Sequence, residues 1–249
     1  MSRNVIEVQD LSVAYNDAPV IWKLNLSVKA GSRTAVVGPN GAGKSTLIKS
    51  IMQLVKPLSG TVSVEGNTHK SALKNVAYVP QKGEVNWDYP TTVFDVVLMG
   101  RYVHKGWIKR PSKTDRQIAH EAMEIMKMVP FKDRQISELS GGQRQRVFLA
   151  RAIAHDADIY IMDEPLQGID ITTERLIIET MKKLQSEGKT FLVVHHNLDT
   201  VPEYFDNVII LNKEVIAAGL IDEVWTKAHI DDAYYEKSCL LYTSPSPRD

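Results

Sequence analysis

The chain has 249 residues and a formal net charge of zero, with 30 Lys+Arg against 30 Asp+Glu. Hydrophobic residues make up 43% and charged residues 24%, enough apolar surface for a core, so a disordered chain is excluded. The balanced charge disfavours a nonspecific nucleic-acid binder, and the lone Cys239 excludes a disulfide scaffold or a thiolate zinc site. No run of about 18 apolar residues could span a membrane. The start, MSRNVIEVQD, has no apolar signal core. The length fits one large domain or one domain with an inserted subdomain.

In chain order, Ile6 to Tyr15 and Ile21 to Val28 alternate apolar and polar residues, as half-buried strands do. Thr34 to Val37 is a short apolar run that ends in a glycine-rich turn, and Leu47-Ile48 then begin a helical pattern. Strands are expected near Thr61–Val64 and Val76–Val79. From Val93 to Val129 the pattern is mostly helical, with Ile118, Ala122, Ile125, Met126 and Val129 at helical spacing. Gln143 to Ala154 is a further helix. Ile159 to Met162 is a buried strand that stops at two carboxylates. Thr173 to Leu184 reads as helix, and Phe191 to Val194 and Val208 to Leu211 as strands. This order predicts an α/β core with a helical insertion between about Thr92 and Ala154. After Lys237 the character changes to a Pro/Ser tail. Residues 239–249 resemble the translation of a transposase sequencing adapter, so Cys239 and its neighbours read as a read-through scar, set aside from the fold; the alternative is a natural disordered tail.

Gly38-Pro39-Asn40-Gly41-Ala42-Gly43-Lys44-Ser45 fits G-x-x-x-x-G-K-[ST] and sits between a strand and a helix. The glycines let backbone N–H groups turn toward phosphate, and the helix start adds its dipole. The expected phosphate cradle extends from Gly38 to Thr46. Lys44 is expected to reach the β- and γ-phosphates, and the Ser45 hydroxyl to ligate Mg²⁺. Asp163, at the end of an apolar strand, can hold Mg²⁺ directly or through water. Glu164 follows at once and can polarise a water as general base.

Ser140-Gly141-Gly142-Gln143 opens another helix. It reads either as a second anion site or as a plain helix cap on Ser140. With one nucleotide, two phosphate sites are one too many. The second then serves a partner's nucleotide, in a head-to-tail pair of identical chains.

The five-residue string Leu139-Ser140-Gly141-Gly142-Gln143, with the phosphate loop and the Asp163-Glu164 strand end, resembles the signature of ABC transporter ATP-binding subunits. The resemblance covers about residues 4–237. It implies a P-loop NTPase core of the ABC ATPase type, with an antiparallel β subdomain and a helical subdomain at about 92–154. It also implies ATP and Mg²⁺ as ligands and hydrolysis coupled to transport. Tyr15 stands where the family stacks an aromatic on adenine; the alternative is a buried strand residue. Gln81 stands at the Q-loop, where the family's glutamine senses Mg²⁺ and water. Asp170, in Gly168-Ile169-Asp170, matches the interface-crossing D-loop. His196 matches the switch histidine at the γ-phosphate. Neighbours on a strand face opposite sides, so His195 and His196 cannot both touch phosphate; the resemblance implies His196, because the apolar run and the following Asn-Leu align it with the family pattern. Asn197, and Leu166-Gln167 at the D-loop start, depart from the common family pattern without removing a group that the chemistry needs.

The stretches Asn86–Val97, Met99–Tyr102, Lys109–Ser112, Val194–Leu198 and Val201–Asp206 resemble the subfamily serving manganese, zinc or iron uptake. That implies transmembrane permease subunits as partners and an extracytoplasmic metal-binding protein as an indirect one. It also implies a place at the cytoplasmic face of a bacterial membrane, with no nucleic-acid partner. Trp87 and Tyr89 are either permease contacts or packed inside the helical subdomain. Six basic residues from Arg101 to Arg116, against Asp115 alone, form either a membrane-proximal face or a solvated loop. The seven histidines are scattered, so the cargo metal is not expected to touch this chain. DNA-repair and chromosome-maintenance relatives carry long insertions, and translation factors carry two cassettes. An unrelated phosphate-loop kinase has no use for LSGGQ.

Overall fold

The computed structural model describes residues 3–15, 18–81, 89–105 and 110–234. Trp87, Lys109, Cys239 and the adapter-like tail lie outside them. β1 (Asn4–Tyr15), β2 (Ala18–Lys29) and β4 (Ser59–Val64) form an antiparallel sheet in the order β2-β1-β4. β3 (Arg33–Val37), β5 (Val76–Val79), β6 (Ile159–Asp163), β7 (Thr190–Val194), β8 (Asn207–Asn212) and β9 (Glu214–Leu220) form the second sheet, ordered β5-β6-β7-β3-β8-β9. Every neighbouring pair is parallel except β8 and β9.

A parallel sheet is buried on both faces, so its strands read as continuous apolar runs, and alternate residues feed two different cores. Ala35, Val37, Tyr160, Met162, Phe191, Val193, Val208 and Ile210 enter one core. Their strand neighbours Val36, Ile159, Ile161, Leu192, Val194, Ile209 and Leu211 enter the other. The first core lies under α2 (Val93–Leu98), α4 (Lys113–Ile125), α5 (Gly141–His155) and α6 (Ile171–Ser186). The second lies between the mixed sheet, α1 (Lys44–Ile51) and the antiparallel sheet. The described residues also form the shorter α-helices α3 (Tyr102–Lys105), α7 (Val201–Tyr204), α8 (Ile221–Val224) and α9 (Lys227–Tyr234).

The expected strands and long helices occur, each within a few residues of its sequence-derived bounds. Two differences have physical causes. The buried stripe of α4 is Asp115, Ala119, Ala122 and Met123, whereas Ile118 and Ile125 are only half-buried. The helix stops at Met126 because Lys127 turns left-handed, at φ 55°, so Val129 lies beyond it. β9 escapes the sequence reading because its residues are all exposed or half-buried, with no strict alternation.

Asp115 organises the entry to α4. It is 2% exposed, completes a capping box with Ser112, and pairs with Arg101 at 3.3 Å and Lys105 at 3.2 Å. Arg101 also donates to the Ala154 carbonyl at 2.8 Å. Two of the six basic residues are therefore anchored inside the helical region instead of forming a free face. The Ser112 hydroxyl bond, more than the two cations, holds the Asp115 carboxyl well below the usual carboxylate range, against burial. A depressed carboxylate stabilises the fold above its unfolded pKa and loses that contribution as pH falls. Asp115→Asn is expected to cost about 2 kcal/mol at pH 7. In urea titrations, the gap from wild type narrows below about pH 4, where the unfolded carboxyl protonates; a gap equal at pH 7 and pH 3 contradicts this.

Candidate nucleotide site

β3 runs straight into the glycine loop, and α1 starts at Lys44. The N-cap, Gly43, sits at φ 97° with no side-chain cap, and the first turn holds no acid. The leading N–H groups of α1 therefore lack a side-chain acceptor, and the positive helix end is not neutralised locally. The glycines are also needed for space. A Cβ on Gly38 would lie 2.0 Å from the Leu211 carbonyl oxygen, and one on Gly43 would lie 2.9 Å from Ile21 Cγ1. Lys44 is buried, with Nζ donating to the carbonyls of Gly38 at 2.8 Å and Pro39 at 2.9 Å. Burial pulls its pKa down, while the charges of Glu164 and Asp163 push it up.

The other three motifs stand at the same sheet edge. Gln81 follows β5, Asp163 ends β6, and His196 follows β7, and these strands are consecutive neighbours ending at β3. Gln81 Nε2 donates to Glu164 Oε2 at 2.7 Å, and His196 Nε2 donates to Glu164 Oε1. Glu164 itself holds φ 53°. A left-handed backbone at a non-glycine residue costs of order 1–3 kcal/mol and persists only where its surroundings enforce it. Here two side chains grip the carboxylate, and the Gln167 N–H bonds the Glu164 carbonyl at 3.2 Å. An open cleft of about 290 Å³ is lined by residues 40–46, Val20, Gln81, Glu164 and His196. Val20 was not anticipated; it lies on β2, near the hairpin that pairs Tyr15 with Ala18.

His195 points elsewhere. It is 4% exposed, hydrogen-bonds Thr200 Oγ1 at 2.7 Å and lies against the Phe205 ring. Burial pulls its pKa down to about 4, so it is neutral at physiological pH.

Other candidates stand outside the cleft. Tyr15 is 44% exposed at the end of β1, so it is not a buried strand residue. Ser140 caps α5: its hydroxyl accepts from the Gln143 N–H, and the Gln143 side chain accepts from the Ser140 N–H. Within one chain, the cap reading of Ser140 is the one observed. Neither Ser140 nor Gln143 lines the cleft. Asp170 caps α6 through Thr173 at 2.9 Å and neighbours Gly142, where an added Cβ would sit 3.4 Å from its carboxylate. Signature and D-loop are thus adjacent to each other and separate from the phosphate loop's cleft. Tyr89 is 62% exposed, so it does not pack inside the helical region.

Ser45 offers a hydroxyl, Asp163 a carboxylate at 1% exposure, and Gln81 an amide oxygen left available by its Nε2 bond to Glu164. This all-oxygen set suits Mg²⁺. Bound with nucleotide, Mg²⁺ would neutralise phosphate charge.

A model of the ABC transporter family matches residues 21–167. The chain is 53% identical over 229 residues to the zinc transport system ATP-binding protein TroB of Treponema pallidum, covering 92% of this chain and 86% of that one. The chain belongs to the ABC transporter family. As an ATP-binding subunit of that family, it is an ATPase. The manganese transport system ATP-binding protein MntB of Bacillus subtilis is 47% identical, covering 92% of each chain. A solved dimeric ATP-binding cassette, MJ0796, bound to ADP and phosphate, superposes with a TM-score of 0.76 at 26% identity, covering 87% of this chain and 98% of that one.

A Glu164→Gln substitution in this subunit keeps the shape of the side chain and removes the carboxylate expected to act as base. It is expected to retain ATP binding while lowering turnover at least about a hundredfold. Phosphate release from the purified variant checks this, and turnover within threefold of wild type removes Glu164 from the general-base role.

Proposed function

We propose that this subunit powers import of a transition-metal ion, manganese or zinc before iron, by hydrolysing ATP beneath a separate membrane permease. The observation that carries the cargo assignment is near-full-length identity to manganese and zinc transport subunits, from 43% to 53%. Among the described residues, no helix is long and apolar enough to cross a membrane. The permease is then another chain, and this one sits at the cytoplasmic face of a bacterial membrane. An extracytoplasmic metal-binding protein would deliver the cargo, and no nucleic acid takes part.

The residues divide the chemistry as follows. The α1 N-terminus and Lys44 hold phosphate, with Ser45, Thr46 and the loop from Gly38 shaping the cradle. Tyr15 offers an exposed ring to the base. Ser45, Asp163 and Gln81 would hold Mg²⁺. Glu164 polarises the attacking water, and His196 orients Glu164 and faces the γ-phosphate. The cleft lacks the Ser140–Gln143 signature, and Asp170 lies beside that signature. A second copy, docked head to tail, would supply both. Closure of that dimer on two ATP molecules, and its reopening after hydrolysis, would drive the permease between access states.

The reading is tested in cells whose native copy carries Lys44→Ala. Manganese, zinc and iron are measured together by elemental analysis. Loss of one metal to below about half of the wild-type level, restored by the wild-type gene, is the expected result. Unchanged levels of all three, with intact ATP hydrolysis by the purified wild-type protein, discard the metal assignment and leave the ATPase standing.

A further inference from the structure

α9, the last described helix, is joined to the phosphate loop without lining its cleft. The connection is the turn between β8 and β9. The Lys213 N–H donates to the Ala42 carbonyl at 2.9 Å, and the Lys213 carbonyl accepts from Trp22 N–H at 3.0 Å. One residue thus ties the phosphate loop to β2, and it holds a left-handed φ of 62° to do so. Next to it, Asn212 Nδ2 donates to the Ala233 carbonyl at 3.0 Å, in the last turn of α9. Leu211, preceding Asn212, carries the carbonyl that Gly38 must clear. Ala233 is 1% exposed, and Tyr234 is half-buried against the core. Neither Asn212 nor Tyr234 lines the cleft.

We propose that α9 and the Asn212–Lys213 turn form a back-support for the phosphate loop, with Asn212 as a positioning residue for ATP binding. A glycine-rich loop loses much backbone freedom when it closes on phosphate. Contacts from behind order it before the ligand arrives, so less binding energy goes into ordering. Asn212 bonds the Ala233 carbonyl and not Glu164, so it acts on affinity and not on the chemical step. The effect extends the phosphate-binding role to the last described helix, and it rests on the reading of the loop as the ATP site.

Two changes at Asn212 remove its bond to the Ala233 carbonyl without adding charge: Asn212→Leu and Asn212→Ala. The full chain is titrated with ATP and Mg²⁺ by calorimetry, and ATP hydrolysis is followed alongside. Each variant is expected to raise the Kd and KM for ATP about three- to tenfold, the worth of one neutral hydrogen bond, with kcat within twofold of wild type. A Kd unchanged in both variants overturns the back-support, and so does a fall in kcat with KM unchanged. Lys44→Ala runs as a separate control: if it binds ATP as wild type does, the nucleotide-site reading fails instead.

Discussion

The site depends on one constraint of parallel pairing. Strands β5, β6, β7 and β3 run in the same direction as neighbours, so their C-terminal ends finish at one edge. Gln81, Asp163-Glu164, His196 and the Gly38–Ser45 loop are separated by up to about 160 residues of chain, and this pairing alone makes them adjacent. The apolar runs that hold the strands in register are therefore as necessary to the chemistry as the polar residues that end them. A ligand at the C-terminal edge of an open α/β sheet is also the general expectation for such folds.

At that edge, charge and strain concentrate on Glu164. Its backbone is left-handed, and both carboxylate oxygens are engaged, one by Gln81 and one by His196. A carboxylate so held is oriented before any water arrives, which is the preorganisation that general-base catalysis requires. Lys44 is bonded to the loop's own carbonyls, and in the proposed role it would exchange those partners for phosphate oxygens. The N-termini of α1 and α5 differ: α1 has no side-chain cap, whereas α5 is capped within the chain by Ser140 and Gln143.

The motifs were legible because each is local. A strand, a glycine turn and a helix start declare themselves within ten residues, and so does an apolar run ending in Asp-Glu. Strand alternation says only that His195 and His196 face opposite sides, and the two side chains do diverge; the choice of His196 comes from the family resemblance. What was not legible is long-range. Arg101 and Lys105 looked like part of a basic face, and their closure on Asp115 depends on how three helices pack. Val20 enters the cleft through a hairpin register that no local pattern states. β9 lacks alternation, and the bonds from α9 to the β8–β9 turn join segments about 20 residues apart that carry no shared motif. Strand alternation alone could not decide between Tyr15 buried and Tyr15 exposed.

The central claim is that a complete site needs two copies, one giving Lys44 and the other giving Ser140. It is tested most directly by mixing two defective chains, Lys44→Ala and Ser140→Asp. Aspartate preserves the helix cap and places a negative charge where phosphate would lie. In a head-to-tail pair of the two, one site carries both changes and the other carries neither. Each variant alone is predicted to be inactive, and the equimolar mixture to recover roughly a quarter of the wild-type hydrolysis rate, from half the dimers with one of two sites each. Full activity of Ser140→Asp alone, or a mixture as silent as its parts, would contradict the account.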